Sequence, residues 1–413
     1  MNEMKFPIYL DNHATTPVDP EVFEAMKPYF LEKFGNASSK NHSFGWEAES
    51  AVMHARKTIA NFINANPKEI YFTSGATESI NLAHFGIAEA YSHKGKHIIS
   101  TAVEHSAGND SLHKLEERGF EVTYLPVNHE GFLDINLLKD SIKDSTILIS
   151  VMAANNEIGT INDITEIGKI CRERGIIFHT DATQALGKIP FDVQKSLVDA
   201  ASFSSHKIYG PKGVGGIYIR NRNPRVRIIA QIVGGGQENN IRSGTLNVTG
   251  IVGFGKAVEI CSRVIEEEPV GIKFLRDKLY NGLTSQLDDV LLNGSIDQRL
   301  PNNLNLCFKY VRSEVFISSL KEIAVSTGSA CSSSTLKPSR ILKAIGLTDE
   351  MSTSSIRFGL GRFNTIEEID YTVKRIVEIV KHLREASPLK SVESSGQKQS
   401  IEQIAKRIEQ QSE

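Results

Sequence analysis

The stretch AASFSSHKIYGPKGVGGIYI, residues 200–219, places one lysine between two apolar runs. The runs at 200–204 and 215–219 predict strands, and the polar residues between them lead into a glycine-rich turn. Lys207 stands here among hydroxyl groups and an imidazole, a setting in which a lysine can form a Schiff base with an aldehyde cofactor. A loop lysine before a hairpin is more commonly just solvated, so the interpretation depends on the rest of the chain.

Upstream of this stretch, short apolar runs alternate with segments of helical periodicity. Strands are predicted at 69–73, 97–101, 121–125, 146–152 and 175–179, with helices between them. This order predicts an α/β fold in which a mostly parallel sheet is flanked by helices on both faces. Ligands of such folds bind beyond the carboxyl ends of the strands.

A polar cluster follows each of five predicted strands, which indicates one shared site at that edge of the sheet. The clusters are Gly75-Ala76-Thr77, Glu104-His105, Asn155-Asn156-Glu157, Asp181 with Gln184, and Ser204 to Lys207. The first opens a helix, whose N-terminus favours a phosphate group.

Several of these side chains have a specific and an ordinary interpretation. Asp181 can hold a protonated pyridine nitrogen, or it can cap the next helix. His105 can stack on a planar cofactor or move protons, or it can be one more surface or core histidine. Asn156 and Arg357 can grip a substrate carboxylate, although a surface ion pair is the ordinary explanation for Arg357.

Composition narrows the class of protein. The chain has 413 residues, 40% of them hydrophobic, and a formal net charge of −2, with no basic arm of the kind that coats nucleic acid. It shows neither a signal peptide nor an apolar run of about 18 residues that would cross a membrane. We therefore expect a cytoplasmic protein that binds neither membranes nor nucleic acid directly.

The four cysteines form no CxxC pair, which argues against both a disulfide framework and a zinc motif. Cys171 and Cys307 lie in apolar patterns and are predicted to be core residues, while Cys261 has no assignment. Cys331 lies in STGSACSSST, residues 326–335, a run with almost no apolar bulk to bury it. An exposed thiol in such a loop suits a travelling nucleophile, although an incidental exposed cysteine has the same signature.

Three parts of the chain are expected. Residues 16–262 form the large domain, and residues 1–15 join 263–388 in a smaller α+β domain that carries the cysteine loop. Residues 389–413 read as a linker and a short amphipathic helix.

Nine motifs together resemble the pyridoxal-phosphate-dependent cysteine desulfurases of the NifS and IscS type, within the class-V aminotransferases. They occur in the order of that family up to about residue 388, and the combination is highly specific although no single motif is. The motifs are YLDNHATTP (9–17), FTSGATES (72–79), VEH (103–105), NNEIG (155–159), HTDATQ (179–184), SHKIYGPKG (205–213), RSGT (242–245), GSAC (328–331) and RFGLGR (357–362).

The resemblance implies a homodimer of fold type I, with a seven-stranded type of sheet and pyridoxal 5′-phosphate as its cofactor. Lys207 would form the Schiff base, Asp181 would pair with the pyridine nitrogen, Gln184 with the ring oxygen, and His105 would stack on the ring. The implied phosphate contacts are Ala76, Thr77, Ser204, His206 and, across the dimer interface, Thr245. Asn156 and Arg357 would hold the carboxylate of L-cysteine, and Asn156 would also contact the cofactor.

The implied reaction converts L-cysteine to L-alanine. Lys207 would move the Cα proton, and the Cys331 thiolate would attack the substrate sulfur and keep it as a persulfide. An acceptor protein would then take the sulfur for iron–sulfur clusters, tRNA thiolation or DNA sulfur modification. Lys337 departs from the glutamate expected beside the loop, which would alter the charge that an acceptor meets. The tail departs from the family pattern as well, and this departure puts docking of an iron–sulfur scaffold in question.

Two other functions remain open at this point. An aminotransferase or a β-eliminating lyase, such as one acting on selenocysteine, would share Lys207 and Asp181 without needing Cys331. A non-catalytic sulfur-relay scaffold would use Cys331 only for docking or as a transient iron–sulfur ligand.

Overall fold

The fold was analysed in a computed structural model, which describes residues 5–327 and 338–385. Cys331, Lys337 and the tail from 389 to 413 lie outside the described residues. The strands are β1 (Ile8–Tyr9), β2 (Ile70–Thr73), β3 (His97–Thr101), β4 (Glu121–Leu125), β5 (Thr146–Ser150), β6 (Ile177–Asp181), β7 (Ala200–Ser204), β8 (Gly215–Ile219), β9 (Val290–Leu292), β10 (Asn303–Phe308), β11 (Ile323–Ala324) and β12 (Ser355–Gly359).

The helices lie between these strands, and none in the described ranges is long and apolar enough to span a membrane. They are α1 (Pro20–Met26), α2 (Pro28–Leu31), α3 (Ser43–Phe62), α4 (Ala76–Tyr91), α5 (Ser106–Glu117), α6 (Ile135–Asp140), α7 (Ile164–Arg174), α8 (Val248–Val264), α9 (Glu268–Thr284), α10 (Ser313–Ser319), α11 (Arg340–Ala344), α12 (Asp349–Thr353) and α13 (Ile366–Glu385).

Seven strands form the main sheet, in the order β2-β8-β7-β6-β5-β3-β4. Strand β8 pairs antiparallel with both of its neighbours, and the other pairings are parallel. Because parallel strands need crossover connections, the helices lie over both faces of the sheet. This arrangement confirms the predicted α/β fold.

The core of this part of the molecule has two layers, one on each face of the sheet. On one face, apolar residues of α3 and α8 such as Ile59 and Phe254 pack with Phe178 and Phe203 of the strands. On the other, Ile87 of α4 and Leu112 of α5 join apolar residues from the opposite sides of the same strands. Burial on both faces explains why the central strands are apolar without alternation.

A second core belongs to the C-terminal part of the chain. Strands β12, β10 and β9 form an antiparallel sheet, and α9 and α13 contribute apolar residues to its core. Strand β1 pairs in parallel with β11, so the first described residues pack with this part of the molecule. Ile8 and Leu10 are buried in the same cluster.

Two predicted elements differ from the structure for local reasons. The sequence of residues 21–30 predicts one helix, but the structure divides it into α1 and α2 at Pro28, which has no backbone N–H to continue the first helix. The strand predicted at 175–179 lies at Ile177–Asp181, because Gly175 ends α7 in a left-handed conformation with φ 65°. Asp181 is therefore the last residue of β6 and not the first residue after it.

Candidate active site

A cavity of about 800 Å³ opens at the carboxyl ends of the sheet strands. Every predicted site residue in the described part of the chain lines it except Thr245, which is exposed elsewhere. The predicted residues that it brings together are Ala76, Thr77, His105, Asn156, Asp181, Gln184, Ser204, His206, Lys207 and Arg357.

Lys207 is held by the N-terminal segment of the chain. It ends a short 3₁₀ turn, Ser205–Lys207, directly after β7. Its Nζ donates to the backbone oxygens of His13 and Ala14, both at 2.6 Å. The backbone N–H of Thr16 donates to the oxygen of His206 at 3.0 Å, which fixes the same segment against the turn. The amine is therefore positioned by contacts nearly two hundred residues away in sequence.

The turn from β2 into α4 forms a small cradle at one end of the cavity. Gly75 has φ 154°, and a Cβ atom on Gly215 would lie 2.6 Å from the Gly75 Cα, so both positions require glycine. Helix α4 begins at Ala76, which directs backbone N–H groups toward the cavity. A phosphate fits such a helix start.

His206 lies beside this cradle and is neutral at neutral pH. Burial, with Lys207 nearby, lowers its pKa to about 4. Its Nδ1 lies 3.0 Å from Thr15 Oγ1. A neutral imidazole at this position can donate a hydrogen bond to an anion without adding a second full charge next to Lys207.

Asp181 presents a buried carboxylate from the end of β6. Its Oδ1 accepts from the backbone N–H of Thr183 at 2.9 Å. The alternative that Asp181 caps a helix is wrong, because residues 183–188 form turns and no helix follows β6 directly. A carboxylate in this wall of the cavity can pair with a protonated ring nitrogen and keep it protonated.

Gln184 follows Asp181 and is oriented by three contacts. Its Nε2 donates to the His13 oxygen at 3.1 Å, and its Oε1 accepts from Lys188 Nζ at 2.5 Å and lies 3.1 Å from His13 Nδ1. Because the side-chain oxygen faces two donors, the amide can be placed in only one orientation.

His105 caps helix α5 and lines the cavity at the same time. Its Nδ1 accepts from the backbone N–H of Ala107 at 3.1 Å. Burial lowers its pKa, which favours the neutral ring. With Nδ1 accepting, the proton of the neutral ring resides on Nε2.

Arg357 comes from β12 and reaches the cavity from the second sheet. It is 4% exposed, so the interpretation as a surface ion pair is wrong. Its Nη1 donates to the backbone oxygen of Asn156 and its Nη2 donates to Asp11 Oδ1, both at 3.0 Å. Arg357 Nε and Asn156 Oδ1 belong to the group of buried atoms in the described residues that have no hydrogen-bond partner, and both residues line the cavity. Buried polar groups are normally paired, so these two atoms indicate a polar ligand.

Two residues of this site carried no role in the sequence analysis beyond their position. Glu104, although it follows a strand, is 3% exposed, and burial raises the pKa of its carboxyl to about 8. Its Oε1 accepts from Thr101 Oγ1 at 2.8 Å and from the Met152 N–H at 3.0 Å. His13 was noticed only as part of a motif, because its carbonyl and ring act through long-range contacts that periodicity does not reveal.

We expect Glu104→Gln to flatten the pH dependence of stability. In the folded protein the Glu104 carboxyl keeps its proton up to about pH 8, whereas in the unfolded chain it releases the proton above its ordinary pKa of 4.5. Glu104 therefore makes the wild-type protein less stable as the pH rises from 4.5 toward about 8. Glutamine keeps the acceptor oxygen without that titration. The stability of the variant relative to wild type should grow by on the order of 2 kcal/mol between about pH 5 and about pH 8.

Urea unfolding at both pH values measures this difference. Glu117→Gln, which changes an exposed glutamate of α5 paired with Lys114, is the matched control. Parallel pH dependence of wild type and Glu104→Gln would contradict the expected burial effect.

The cysteines of the described part are all buried. Cys171 and Cys307 are core residues as predicted, and Cys261 of α8 is buried in the core against the turn at Gly187. Burial raises the pKa of each thiol, so none of these three is a ready nucleophile.

Comparison with known proteins gives the family. The sequence profile described as "Aminotransferase class-V" matches residues 8–372. The chain belongs to the class-V aminotransferase family. Members of this family depend on pyridoxal phosphate, and the cavity suits that cofactor, since it combines a glycine-lined helix start, a lysine and a buried carboxylate.

Individual relatives narrow the family further. The protein is 53% identical over 393 residues to "Cysteine desulfurase IscS" of Anaeromyxobacter dehalogenans (strain 2CP-C), which spans 95% of this chain and 97% of the relative. A solved "NifS-like protein" superposes with a TM-score of 0.85 at 38% identity, covering 91% of this chain and all of that one. A structure titled "SspA in complex with cysteine" has a TM-score of 0.74 at 33% identity, covering 87% of this chain and all of that one. The predicted resemblance to the NifS/IscS type is thus confirmed.

Proposed function

We propose that the protein is a pyridoxal-phosphate-dependent cysteine desulfurase that forms alanine and holds the sulfur on Cys331. Full-length relatives at 53% identity carry this activity in their names, and they do not favour the aminotransferase, lyase or scaffold alternatives. The observation that carries the proposal is the unpartnered Nε of Arg357, a buried guanidinium donor in the same cavity as Lys207. A guanidinium donor suits the carboxylate of an amino acid, and the Asn156 side chain, whose amide nitrogen can donate, lines the same cavity.

The cofactor would be held along the cavity by residues that the fold brings together. Ala76, Thr77, Ser204 and His206 would contact its phosphate, Asp181 its ring nitrogen, Gln184 its ring oxygen, and His105 the ring face. When bound, the cofactor supplies an electron sink that makes the Cα proton of an amino acid removable.

The protein's own groups would then do three things. Arg357 and Asn156 orient the substrate by its carboxylate. Lys207, whose amine is positioned by the His13 and Ala14 oxygens, accepts and returns a proton at Cα. Cys331, as thiolate, accepts the substrate sulfur as a persulfide, which an acceptor protein discharges.

The assembly is proposed to be a homodimer in which Thr245 serves the partner's phosphate site. Thr245 is exposed and lies outside the cavity of its own chain. Large apolar side chains around α2 and the start of α3 are also exposed, among them Leu31 at 84%, Phe34 at 65% and Trp46 at 56%. A surface of this kind is typical of an interface, and a second copy is the occupant that the role of Thr245 requires.

Other finer assignments stay proposals. The domain boundaries at 16–262 and at 1–15 with 263–388 agree with the two separate cores. The buried free thiols suit a reducing compartment such as the cytoplasm. An iron–sulfur scaffold, a thiolation factor or a phosphorothioation factor would serve as acceptor, and Cys331 is a candidate transient iron–sulfur ligand.

Arg357→Lys tests the site that binds the carboxylate of the substrate. Lysine keeps the charge but loses the planar fork, so we expect KM for L-cysteine to rise about tenfold to a hundredfold, equivalent to about 1.5–3 kcal/mol. Alanine formation by the holoenzyme with excess reductant measures it.

The matched control is Arg375→Lys, which changes an arginine of α13 that forms ion pairs outside the cavity. If wild-type protein with bound cofactor released no alanine from L-cysteine, the proposed function would fail. If alanine formed but KM stayed unchanged in Arg357→Lys, only the assignment of Arg357 to the substrate carboxylate would be wrong.

A further inference from the structure

Lys188 lies directly behind the candidate active site, and no step proposed so far uses it. The residue is half-buried, and its Nζ donates to Gln184 Oε1 at 2.5 Å. It lies four residues after Gln184, so the same turn that orients Gln184 carries both. An amine directed inward, away from solvent, needs a stronger explanation than a surface lysine does.

The contacts of Lys188 continue to Lys207 through two residues. Asn303 Nδ2 lies 3.1 Å from His13 Nε2, which leaves the His13 proton on Nδ1, where it faces Gln184 Oε1 at 3.1 Å. The His13 backbone oxygen then accepts from both Gln184 Nε2 and Lys207 Nζ. Lys188, Gln184, His13 and Lys207 thus form one hydrogen-bonded chain.

Lys188 and Lys207 also line one small cavity, of about 20 Å³. This volume is enough for about one water molecule. Two protonated amines on the wall of so small a space repel each other, which disfavours a charge on both at once.

The charged and titratable groups around Lys188 do not cancel its charge. The carboxylate of Glu268 lines the small cavity but accepts from Arg362 Nε at 2.9 Å, and Arg357 is paired with Asp11. The other groups are neutral: burial lowers the pKa of His13 and His206 and raises that of the Cys261 thiol and the Tyr209 phenol. Burial and the nearby Lys207 lower the pKa of Lys188 itself to about 7.

We propose that Lys188 is a positioning residue for the desulfurase reaction. Anchored on Gln184, it places a second amine behind Lys207 and so keeps the Lys207 nitrogen available as a base. This inference rests on the proposed function, because it concerns the lysine that binds the cofactor and moves the Cα proton. A neighbouring cation is one of the known ways to lower the proton affinity of a reactive lysine.

The test is a spectroscopic pH titration of the holoenzyme, which follows the absorbance bands of the Lys207–cofactor linkage and needs no turnover. Lys188→Met removes both the charge and the donor, while Lys188→Gln removes the charge and keeps a donor for Gln184. We expect the titration midpoint to rise by about one pH unit in both variants. Lys169→Met, which changes an exposed lysine of α7, should titrate like wild type.

Each outcome has one meaning. A raised midpoint in both variants supports the proposal, and the acidic limb of the kcat profile should move with it. An unchanged midpoint in both variants, or a rise in Lys188→Met alone, overturns the electrostatic role. If wild type shows no cofactor absorbance at all, the proposed function fails instead. Thermal unfolding of each holoenzyme shows whether the variant is folded. If Lys188→Met does not fold, the titration of Lys188→Gln alone tests the proposal.

Discussion

Replacing Lys207 with alanine should lower the rate of alanine formation from L-cysteine by about a thousandfold to ten-thousandfold. The Lys207 amine would both form the Schiff base and move the Cα proton, and a positioned general base alone is worth about 10²–10⁴-fold. The protein should still bind pyridoxal phosphate, because Asp181, the α4 start and His206 are untouched. The altered cofactor spectrum and the rate together measure the effect.

Lys195→Ala is the matched control, since Lys195 is exposed and lies outside the cavity. Its rate and spectrum should equal those of wild type. Retention of more than about a tenth of the wild-type rate in Lys207→Ala would contradict the role given to this residue. Added methylamine should partly restore the rate, because a small amine can enter the space left by the side chain.

Cys331→Ser should lower cysteine-dependent alanine formation under reducing conditions by at least about a hundredfold. The hydroxyl is not ionised near neutral pH and cannot accept a sulfur atom as a stable persulfide. The spectrum of the bound cofactor should stay like that of wild type, which separates loss of the sulfur acceptor from loss of the cofactor site. Mass spectrometry of wild type after one turnover should show 32 Da, one sulfur, added to the peptide with Cys331.

Cys171→Ala provides the comparison, because it removes a buried thiol of α7 and leaves the cavity unchanged. Full alanine formation by Cys331→Ser would exclude the persulfide mechanism and would favour the lyase alternative. Persulfide on another cysteine would contradict the assignment in a different way, since the other three thiols are buried.

Much of the main sheet could be predicted from the sequence because its signals are local. The strands at 97–101, 121–125, 200–204 and 215–219 have the predicted bounds, each an apolar run bordered by polar or glycine residues. The convergence of Asp181, Gln184 and Lys207 also followed from the sequence, since parallel strands end at one edge.

The rest depends on contacts between distant parts of the chain. Arg357 was predicted as a ligand group, but its pairing with Asp11 joins residues 346 positions apart. The support of Lys207 by the His13 and Ala14 oxygens is a backbone interaction, so side-chain chemistry gives no sign of it. In the sequence, Lys188 has the pattern of an ordinary turn lysine. Only the fold shows that its amine points inward, toward Gln184.

The segment from β1 to Thr16 contacts both Lys207 and the strand that precedes Cys331 in the sequence. Its strand pairs with β11, which precedes Cys331 by a few residues in the sequence, Asp11 binds Arg357, and His13 and Ala14 hold Lys207. The start of the chain is therefore a poor place for protein engineering. A shortened N-terminus, or an affinity tag that pulls on it, would loosen the lysine, the substrate arginine and the strand leading to the cysteine together.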